Sequence, residues 1–500
     1  MALLIRGGQV LAGAPAALTR ADVLVEGDRI VTVGPSVTAP DGARVLDASG
    51  HVVLPGMGNA HTHAASHLAR GRAGSWTLED LLTHSAANYG FRTPEDEYIS
   101  AAVGAIEMLR TGCTSAYDLY MAVPAITEEA FEAVVRAYTD VGLRVVLAPA
   151  VADVIFYQTV PGLADLLPAD LRRTVAEMQP APTKGLLGLT ERAIRRWHGG
   201  ADGRVRIGIA PTIPNQATDE FLDGCAALAR EYGVGIHTHL AESKVQTVES
   251  HRRWGKSIVA RLADHGVLGP GFVGAHSIWL TDDDLRLLAD AGAAVAHNPG
   301  SNLRLGCGIA PVREMLDRGL AVGLGTDGSV CADNQNLFEA LRIASVISTI
   351  RFPHETARWL DADTVWDLAT RGTARVMGQA DDLGAVAPRR KADLVLLRAD
   401  SIFLRPLADP VKALVYAETG AAVDTVVVGG RIVMERGRVT TVDEDRIYAR
   451  AQEAADRQRG QSAQAWALAE RLAPYVAAAC RSAVTAPLSI NRFAAALPSA

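Results

Sequence analysis

Short apolar, β-branched runs that alternate with helical patterns are the feature that most constrains the fold of this chain. Such alternation is typical of βα units that bury a parallel sheet. Eight runs occur, namely the segment that ends at Asn59-Ala60-His61 and residues 114–118, 144–151, 205–211, 234–239, 272–276, 293–297 and 321–327. Eight units of this size predict an α/β fold with a (β/α)8 barrel of the TIM type, whose active site lies where the carboxyl ends of the strands meet.

A second type of strand pattern flanks the barrel. Residues 3–10, 21–33 and 45–54 precede it, and residues 391–397, 411–416 and 423–433 follow it. Turn residues separate these runs. Because chain termini usually meet at the surface, we expect both parts to form one small β-sandwich-like domain.

The last part of the chain has helix-forming composition over residues 446–472 and predicts a C-terminal helical extension that ends near Pro474. The predicted domains are residues 1–56 (N-terminal part of the β domain), 57–380 (catalytic barrel), 381–442 (C-terminal part of the β domain) and 443–500 (helical tail). Residues 160–185 contain four prolines and exceed what a connection requires, so we expect a lid there.

Charge and cysteine usage exclude several classes of function. The 49 Lys and Arg against 56 Asp and Glu give a net charge of −7 without long like-charge runs, which excludes the basic surface that nucleic-acid binding needs. Five cysteines without a Cys-x-x-Cys pair argue against a disulfide framework and fit a reducing cytoplasm. Without a signal-peptide core or an 18-residue apolar segment, we expect a cytoplasmic protein with no membrane partner.

Metal-ligating residue types stand at the ends of several predicted strands. His61 and His63 form a His-x-His pair, whose imidazoles point the same way in extended backbone. His239 ends the fifth strand and Asp327 the eighth. Three imidazoles and one carboxylate suit zinc or iron(II), with one position left for water. His237 is the alternative to His239.

We favour His239 because Glu242 follows it by three residues. His276 and His297 also lie at strand ends on the same face. For His297 the structural alternative is an anchor for the turn at Asn298-Pro299.

The ordered motifs resemble the amidohydrolase superfamily, in particular its triazine hydrolase and methylthioadenosine/S-adenosylhomocysteine deaminase group. They are Asn59-Ala60-His61-Thr62-His63, His237-Thr238-His239-Leu240-Ala241-Glu242, Ala275-His276, His297-Asn298-Pro299-Gly300-Ser301-Asn302 and Gly325-Thr326-Asp327-Gly328. The resemblance implies one metal ion on His61, His63, His239 and Asp327. It also implies that Glu242 moves protons and that His276 hydrogen-bonds the attacking hydroxide or the substrate. Binuclear relatives carry a carbamylated lysine that bridges two ions at the end of the fourth strand. The predicted fourth strand of this chain, residues 206–211, ends without a lysine, so a mononuclear site is expected.

The physical chemistry of this set predicts a deamination. A bound cation lowers the pKa of a water ligand from about 16 toward about 7. Asp327 can take the proton as hydroxide attacks a ring carbon, while His276 steadies the developing charge. Glu242, with a raised pKa, would protonate a ring nitrogen and then the leaving group. We therefore expect an aminohydrolase that acts on a purine, pyrimidine, pterin or triazine.

The substrate contacts are expected on the loops around this site. The candidates are Trp76, Tyr89, Phe156, His297 and Asn302. Residues 154–157 offer apolar and aromatic surface suited to a flat free base. Residues 82–89 lack the glutamate with which the deaminases of the group hold a ribose, which favours a free base over a nucleoside.

Two other functions are compatible with the same residues. One is cleavage of another bond on the same scaffold, as in a chlorohydrolase or a cyclic amide or formimino hydrolase, and the leaving group separates it from deamination. The other is a non-catalytic barrel with a structural metal, which has no need of Glu242 and His276. The metal is expected to be one zinc ion per chain, with iron(II) or manganese as alternatives, and the chain is expected to form a homo-oligomer.

Overall fold

A closed barrel forms the centre of the computed structural model, which describes residues 2–13 and 16–493. Its parallel strands are Met57–Thr62, Cys113–Tyr120, Arg144–Val151, Val205–Ile207 continued by Ala210–Pro211, Ile236–Leu240, Phe272–His276, Ala294–His297 and Ala321–Leu324. Backbone hydrogen bonds join the fourth strand to the fifth, from His237 N to Ile209 O (2.9 Å), and the eighth to the first, from Asp327 N to His61 O (2.9 Å). The predicted (β/α)8 barrel is confirmed.

Helices surround the barrel, and several of them begin at polar caps. Thr93, for example, accepts from the backbone of Asp96 while the Asp96 carboxylate accepts from the Thr93 backbone, and Pro94 occupies the first turn. The α-helices up to the last barrel unit are Leu78–Thr83, Ser85–Tyr89, Pro94–Arg110, Glu128–Val141, Leu163–Leu166, Ala169–Glu177, Thr183–Trp197, Gly200–Gly203, Asp219–Tyr232, Lys244–Trp254, Ile258–Asp264, Asp282–Asp290, Pro299–Arg304, Val312–Asp317, Leu337–Arg351, Ala362–Asp367 and Thr373–Val376. Short 3-10 or π turns are Ala64–Ala69, Phe156–Thr159, Pro214–Gln216, Thr356–Arg358, Leu368–Gly372 and Ile402–Leu404.

A mixed sheet from both ends of the chain packs beside the barrel. Its strands are Ala2–Ala12, Ala17–Glu26, Arg29–Gly34, Arg44–Asp47, His51–Pro55, Leu394–Arg398, Val423–Val428, Arg431–Glu435 and Arg438–Val439. The strand His51–Pro55 pairs with Leu394–Arg398 and so joins the two parts. The predicted β domain built from both termini is therefore confirmed.

The strand predicted at residues 411–416 is wrong, because Pro410–Tyr416 is a helix. Asp409 caps it by accepting from the backbone of Lys412, and Pro410 stands in its first turn. The buried Val411, Leu414 and Val415 have helical spacing, which outweighs the β propensity of the valines.

The C-terminal extension forms two helices, Glu444–Gln461 and Ala463–Thr485. Pro474 lies inside the second helix, so the expected end near that residue is wrong. The helix continues because Leu472, Val476 and Ala479 on its apolar side pack against residues of the 160–185 stretch such as Leu163. Within the described part of the chain, no helix combines the length and the apolar character needed to cross a membrane.

Candidate metal centre and active site

Three histidines and an aspartate converge at the carboxyl ends of the barrel strands. The ligand atoms of His61, His63 and His239 lie within 4.8 Å of one another. His63 Nε2 is 3.2 Å from His239 Nε2. Asp327 Oδ1 is 3.2 Å from His63 Nε2 and 3.6 Å from His61 Nε2. All four side chains are buried, so the barrel gathers the four ligands that the sequence predicts.

Hydrogen bonds fix the imidazoles in the form that binds a cation. His63 Nδ1 donates to the carbonyl oxygen of Leu119 (2.7 Å), and His239 Nδ1 donates to that of Thr212 (2.5 Å). When both rings are neutral, their Nε2 atoms are unprotonated acceptors that face each other, which is unfavourable without a cation between them. Both ring nitrogens of His61 are buried without a hydrogen-bond partner among the described residues. The residues therefore fit a divalent metal ion.

The pKa values of His61, His239 and Asp327 also favour metal binding. Burial and the neighbouring imidazoles lower the pKa of His61 well below its usual range, and burial with His63 and His276 lowers that of His239 to about 3. Burial acts to raise the pKa of Asp327, but the hydrogen bond from His63 and the surrounding imidazoles outweigh it and hold the pKa well below its usual range. Burial likewise opposes protonation of His63, yet Asp327 raises its pKa. The lowered pKa values of His61, His239 and Asp327 favour neutral imidazoles beside an anionic carboxylate, the state that ligates metals, and His63 has to give up its proton when a cation binds.

Glu242 and His276 lie on the other side of Asp327. His276 Nε2 is 3.6 Å from Glu242 Oε1 and 3.7 Å from Asp327 Oδ2. Burial raises the pKa of Glu242 well above its usual range, and the charges of Asp327 and Glu79 add to this. Burial lowers the pKa of His276. A carboxyl with a raised pKa and an imidazole with a lowered pKa thus stand beside a carboxylate with a lowered pKa, an arrangement suited to proton transfer.

Left-handed backbone aims these side chains. His276 and Asp327 have φ values of +65° and +66°, and Ala241, just before Glu242, has +45°. Non-glycine residues adopt this region at a cost that functional sites often show. Asp327 is held further by the backbone N–H of Gly328, which donates to Oδ1 (2.7 Å).

A narrow cavity of about 50 Å³ opens at this centre. His63, His239, Glu242 and Asp327 form its polar end. Its other lining residues are Leu78, Leu81, Leu82, Ser85, Tyr89, Met121, Thr212, Ile213, Leu305 and Cys331. Of the candidate substrate contacts, Tyr89 lines this cavity, and its role stays a prediction.

The other candidate contacts lie elsewhere around the centre. Phe156 lines a larger neighbouring cavity, and Trp76 stacks on His84 with ring centroids 4.3 Å apart. His297 is buried at the end of the seventh strand with no partner for Nδ1 among the described residues. Asn302 accepts from His276 Nδ1 through Oδ1 (2.8 Å), so it orients that imidazole.

Several residues that support the centre were missed by sequence reasoning. Glu79 is buried and accepts from the hydroxyl of Ser243 (2.7 Å), next to Glu242. Asp118 accepts from the backbone of Ala64 (3.0 Å) and from Tyr138 OH (2.7 Å), which fixes the chain after His63. Asp118 ends a predicted strand, a signal that could have found it, whereas nothing in the sequence singles out Glu79.

His237 lies outside the ligand group. It is fully buried, its ring centroid is 4.4 Å from that of Tyr117, and burial lowers its pKa well below the usual range. The histidine whose ligand atom lies within 4.8 Å of those of His61 and His63 is His239.

Comparisons with known proteins agree with this geometry. The model of the amidohydrolase family matches residues 52–433. The 5-methylthioadenosine/S-adenosylhomocysteine deaminase of Symbiobacterium thermophilum is 37% identical over 468 residues, which cover 91% of this chain and 98% of that protein. The 5'-deoxyadenosine deaminase of Methanothermobacter thermautotrophicus is 34% identical over 455 residues, which cover 91% of this chain and 98% of that protein.

A solved structure shows the same architecture. The atrazine chlorohydrolase of Arthrobacter aurescens, complexed with zinc, superposes with a TM-score of 0.82 at 28% identity, over 91% of this chain and all of that chain (100%). This chain matches a family with zinc-bound members, and it has a buried set of histidines and an aspartate that could hold an ion. A divalent metal is therefore its cofactor. The chain belongs to the amidohydrolase family and is a metal-dependent hydrolase that acts on carbon–nitrogen bonds other than peptide bonds.

Proposed function

We propose that this chain is a mononuclear aminohydrolase that releases ammonia from an amino-substituted purine ring. The observation that carries the proposal is the pair of Glu242 and His276, held within 4 Å of each other beside Asp327 at the metal centre. The two deaminases at 34% and 37% identity, whose names denote adenosine compounds, favour the purine ring.

One zinc ion is the cofactor in this proposal. His61, His63, His239 and Asp327 would hold it, and three nitrogens with one oxygen suit zinc. The described fourth strand ends at Pro211 without a lysine to bridge a second ion. When bound, such an ion supplies Lewis-acid activation of water.

The proton transfers belong to the side chains of the chain itself. Glu242 Oε2 is buried without a hydrogen-bond partner among the described residues, and burial raises the pKa of its carboxyl well above the usual range, which suits it to carry a proton to a ring nitrogen. Asp327 remains a carboxylate and can accept a proton. Asn302 holds the Nδ1 proton of His276, which leaves Nε2 to face Glu242 and Asp327.

The proposal includes a cytoplasmic location and a homo-oligomer. All five cysteines are free and buried, which suits a reducing compartment. Val346 and Ile350 on the helix Leu337–Arg351 are 51% and 56% exposed, and Ile402 on a neighbouring turn is 82% exposed. Tyr416 is 40% exposed, and its OH lies 2.9 Å from Ser345 Oγ on the same helix as Val346. Exposed apolar groups of this kind favour a subunit contact.

An assay of released groups tests the function. Zinc-loaded protein is offered aminopurines, their nucleosides, aminotriazines and chlorotriazines, with ammonia and chloride measured in parallel. We expect ammonia from an aminopurine or its nucleoside. Chloride from a chlorotriazine, with no ammonia from any purine compound, would replace the proposal by the chlorohydrolase alternative.

Substitution of Glu242 ties the activity to this centre. Glu242→Gln should lower kcat about 10²–10⁴-fold, the usual contribution of general acid–base catalysis, with zinc content unchanged. Glu220→Gln, at an exposed position of the helix Asp219–Tyr232, is the matched control and should keep full activity. Full activity of Glu242→Gln would refute the assigned role.

A further inference from the structure

A second, much larger cavity adjoins the catalytic cavity. Its volume is about 720 Å³, and the two share Leu82 and Ser85 in their walls. The wall continues from Met121, in the catalytic cavity, to Ala122, in the large one. A substituent on a ring held beside Glu242 therefore has this cavity as its nearest free space. We call it the vestibule.

The vestibule is lined mainly by apolar side chains, and the uncharged polar ones among its described lining residues are Thr83, Ser85, Tyr157, Gln179 and Gln216. Ile126 follows the second barrel strand, Ile155 and Phe156 follow the third, and Leu186 lies on the helix Thr183–Trp197. Arg192 is the one charged side chain among the described lining residues, and it is exposed and paired with Glu128. Such a lining offers a charged group no unpaired counterion, and it replaces the water around a polyhydroxylated group with only these few polar side chains.

The last helix of the chain closes the vestibule. Ala465, Leu468 and Ala469 contribute its third wall. Trp466 anchors this helix, with its ring centroid 5.7 Å from that of Trp76 and 5.0 Å from that of His84. The wall is therefore a packed helix whose shape is defined before a ligand arrives.

We propose that the substrate carries a bulky, uncharged apolar substituent on its ring, and that the vestibule receives this substituent. The inference rests on the proposed function, since it assumes that the ring is processed at Glu242. It changes the expected role of Phe156, which contacts the substituent instead of stacking on the ring. It also makes Trp76 a positioning residue, which acts on the substrate through the helix Ala463–Thr485.

A series of substituted adenines tests the proposal. The wild-type, zinc-loaded protein is assayed for ammonia release from adenines that carry hydrogen, methyl, n-butyl, benzyl, 4-carboxybutyl or ribosyl at N9, the atom that bears the sugar in an adenosine. We expect kcat/KM to rise about threefold to fourfold per buried methylene along the alkyl series. The carboxybutyl compound should fall at least tenfold below the butyl compound, and the ribosyl compound below it as well.

Filling the vestibule should abolish this preference. Ala465→Trp projects an indole from the last helix, and Ala122→Phe fills the opposite wall, so the conclusion does not depend on one variant folding. Each should lower kcat/KM for the butyl and benzyl compounds at least tenfold and leave adenine within twofold. Ala467→Trp, at an exposed position of the same helix, is the matched control and should behave as wild type.

Three results would overturn the proposal. If kcat/KM stays flat or falls along the alkyl series while adenine is deaminated, the substrate has no bulky apolar substituent. That result leaves the proposed function intact. An equal loss on all substrates in both filling variants, with Ala467→Trp unaffected, identifies the vestibule as a passage and not as a binding pocket. Absence of ammonia from every adenine overturns this inference, and absence of ammonia from the other aminopurines and their nucleosides as well overturns the proposed function.

Discussion

Replacing Asp393 by asparagine tests what holds the β domain against the amino-terminal end of the barrel strands. Arg144, the first residue of the third barrel strand, donates to both carboxylate oxygens of Asp393 from Nε (3.0 Å) and Nη2 (2.9 Å). The side chains are 4% and 3% exposed. Asp393 also accepts from the backbone of Gly429 (2.8 Å). Asparagine keeps the shape and an acceptor for Gly429, but it leaves the guanidinium as a buried cation without its counterion.

The cost should be about 3–5 kcal/mol in the free energy of unfolding, the range for a buried pair that loses one partner. Arg144→Met combined with Asp393→Asn removes both charges and should recover at least half of the loss. Urea unfolding followed by tryptophan fluorescence measures both variants. A loss below about 1 kcal/mol for Asp393→Asn, or a double variant less stable than either single variant, would refute the reasoning.

Three further outcomes follow from the site and its surface. Glu79→Gln removes a negative charge that raises the pKa of Glu242. The alkaline limb of the pH profile of kcat/KM, where Glu242 loses its proton, should therefore move to lower pH. An unchanged profile contradicts this. Asn302→Leu frees the His276 imidazole and should lower kcat about 10–100-fold at unchanged zinc content; a normal kcat would remove the orienting role. Val346→Glu should reduce the mass measured by light scattering to that of a monomer, and an unchanged oligomer would exclude this surface as the contact.

The barrel and the convergence of its candidate metal ligands were predictable because strand ends in a parallel barrel meet at one face. That rule alone brings His61, His239 and Asp327 together, although 266 positions separate the first from the last (327 − 61). Because His61 and His63 are two residues apart, their side chains point to the same side of a strand. In the structure their ring centroids lie 4.8 Å apart.

Side chains that act through tertiary contacts could not be predicted in this way. Asn302 looks like an ordinary loop residue until the fold places its Oδ1 on His276. Glu79 reaches Glu242 only because a short helix crosses the mouth of the barrel. The wrong strand at residues 411–416 has a local cause, since its β-branched residues outweighed the Asp409 and Pro410 signals for a helix start.

Packing also decided how far the last helix extends. Pro474 predicts the end of a helix, but a proline costs a helix only about 3 kcal/mol, which the burial of a few side chains offsets. Leu472, Val476 and Cys480 supply that burial against the 160–185 stretch. Helix propensity and capping rules use only neighbouring residues, so they do not include these packing partners, which lie some 300 residues earlier in the chain.

Titration of the metal-free protein with zinc tests the central claim most directly. Chelator-treated protein is given increasing zinc, and bound metal and ammonia release from an aminopurine are measured on the same samples. The account predicts activity that rises in proportion to bound zinc and levels off at one equivalent per chain, with Glu242→Gln binding the same equivalent but releasing no ammonia. Full activity in the metal-free protein, or a plateau only at two equivalents, would contradict it.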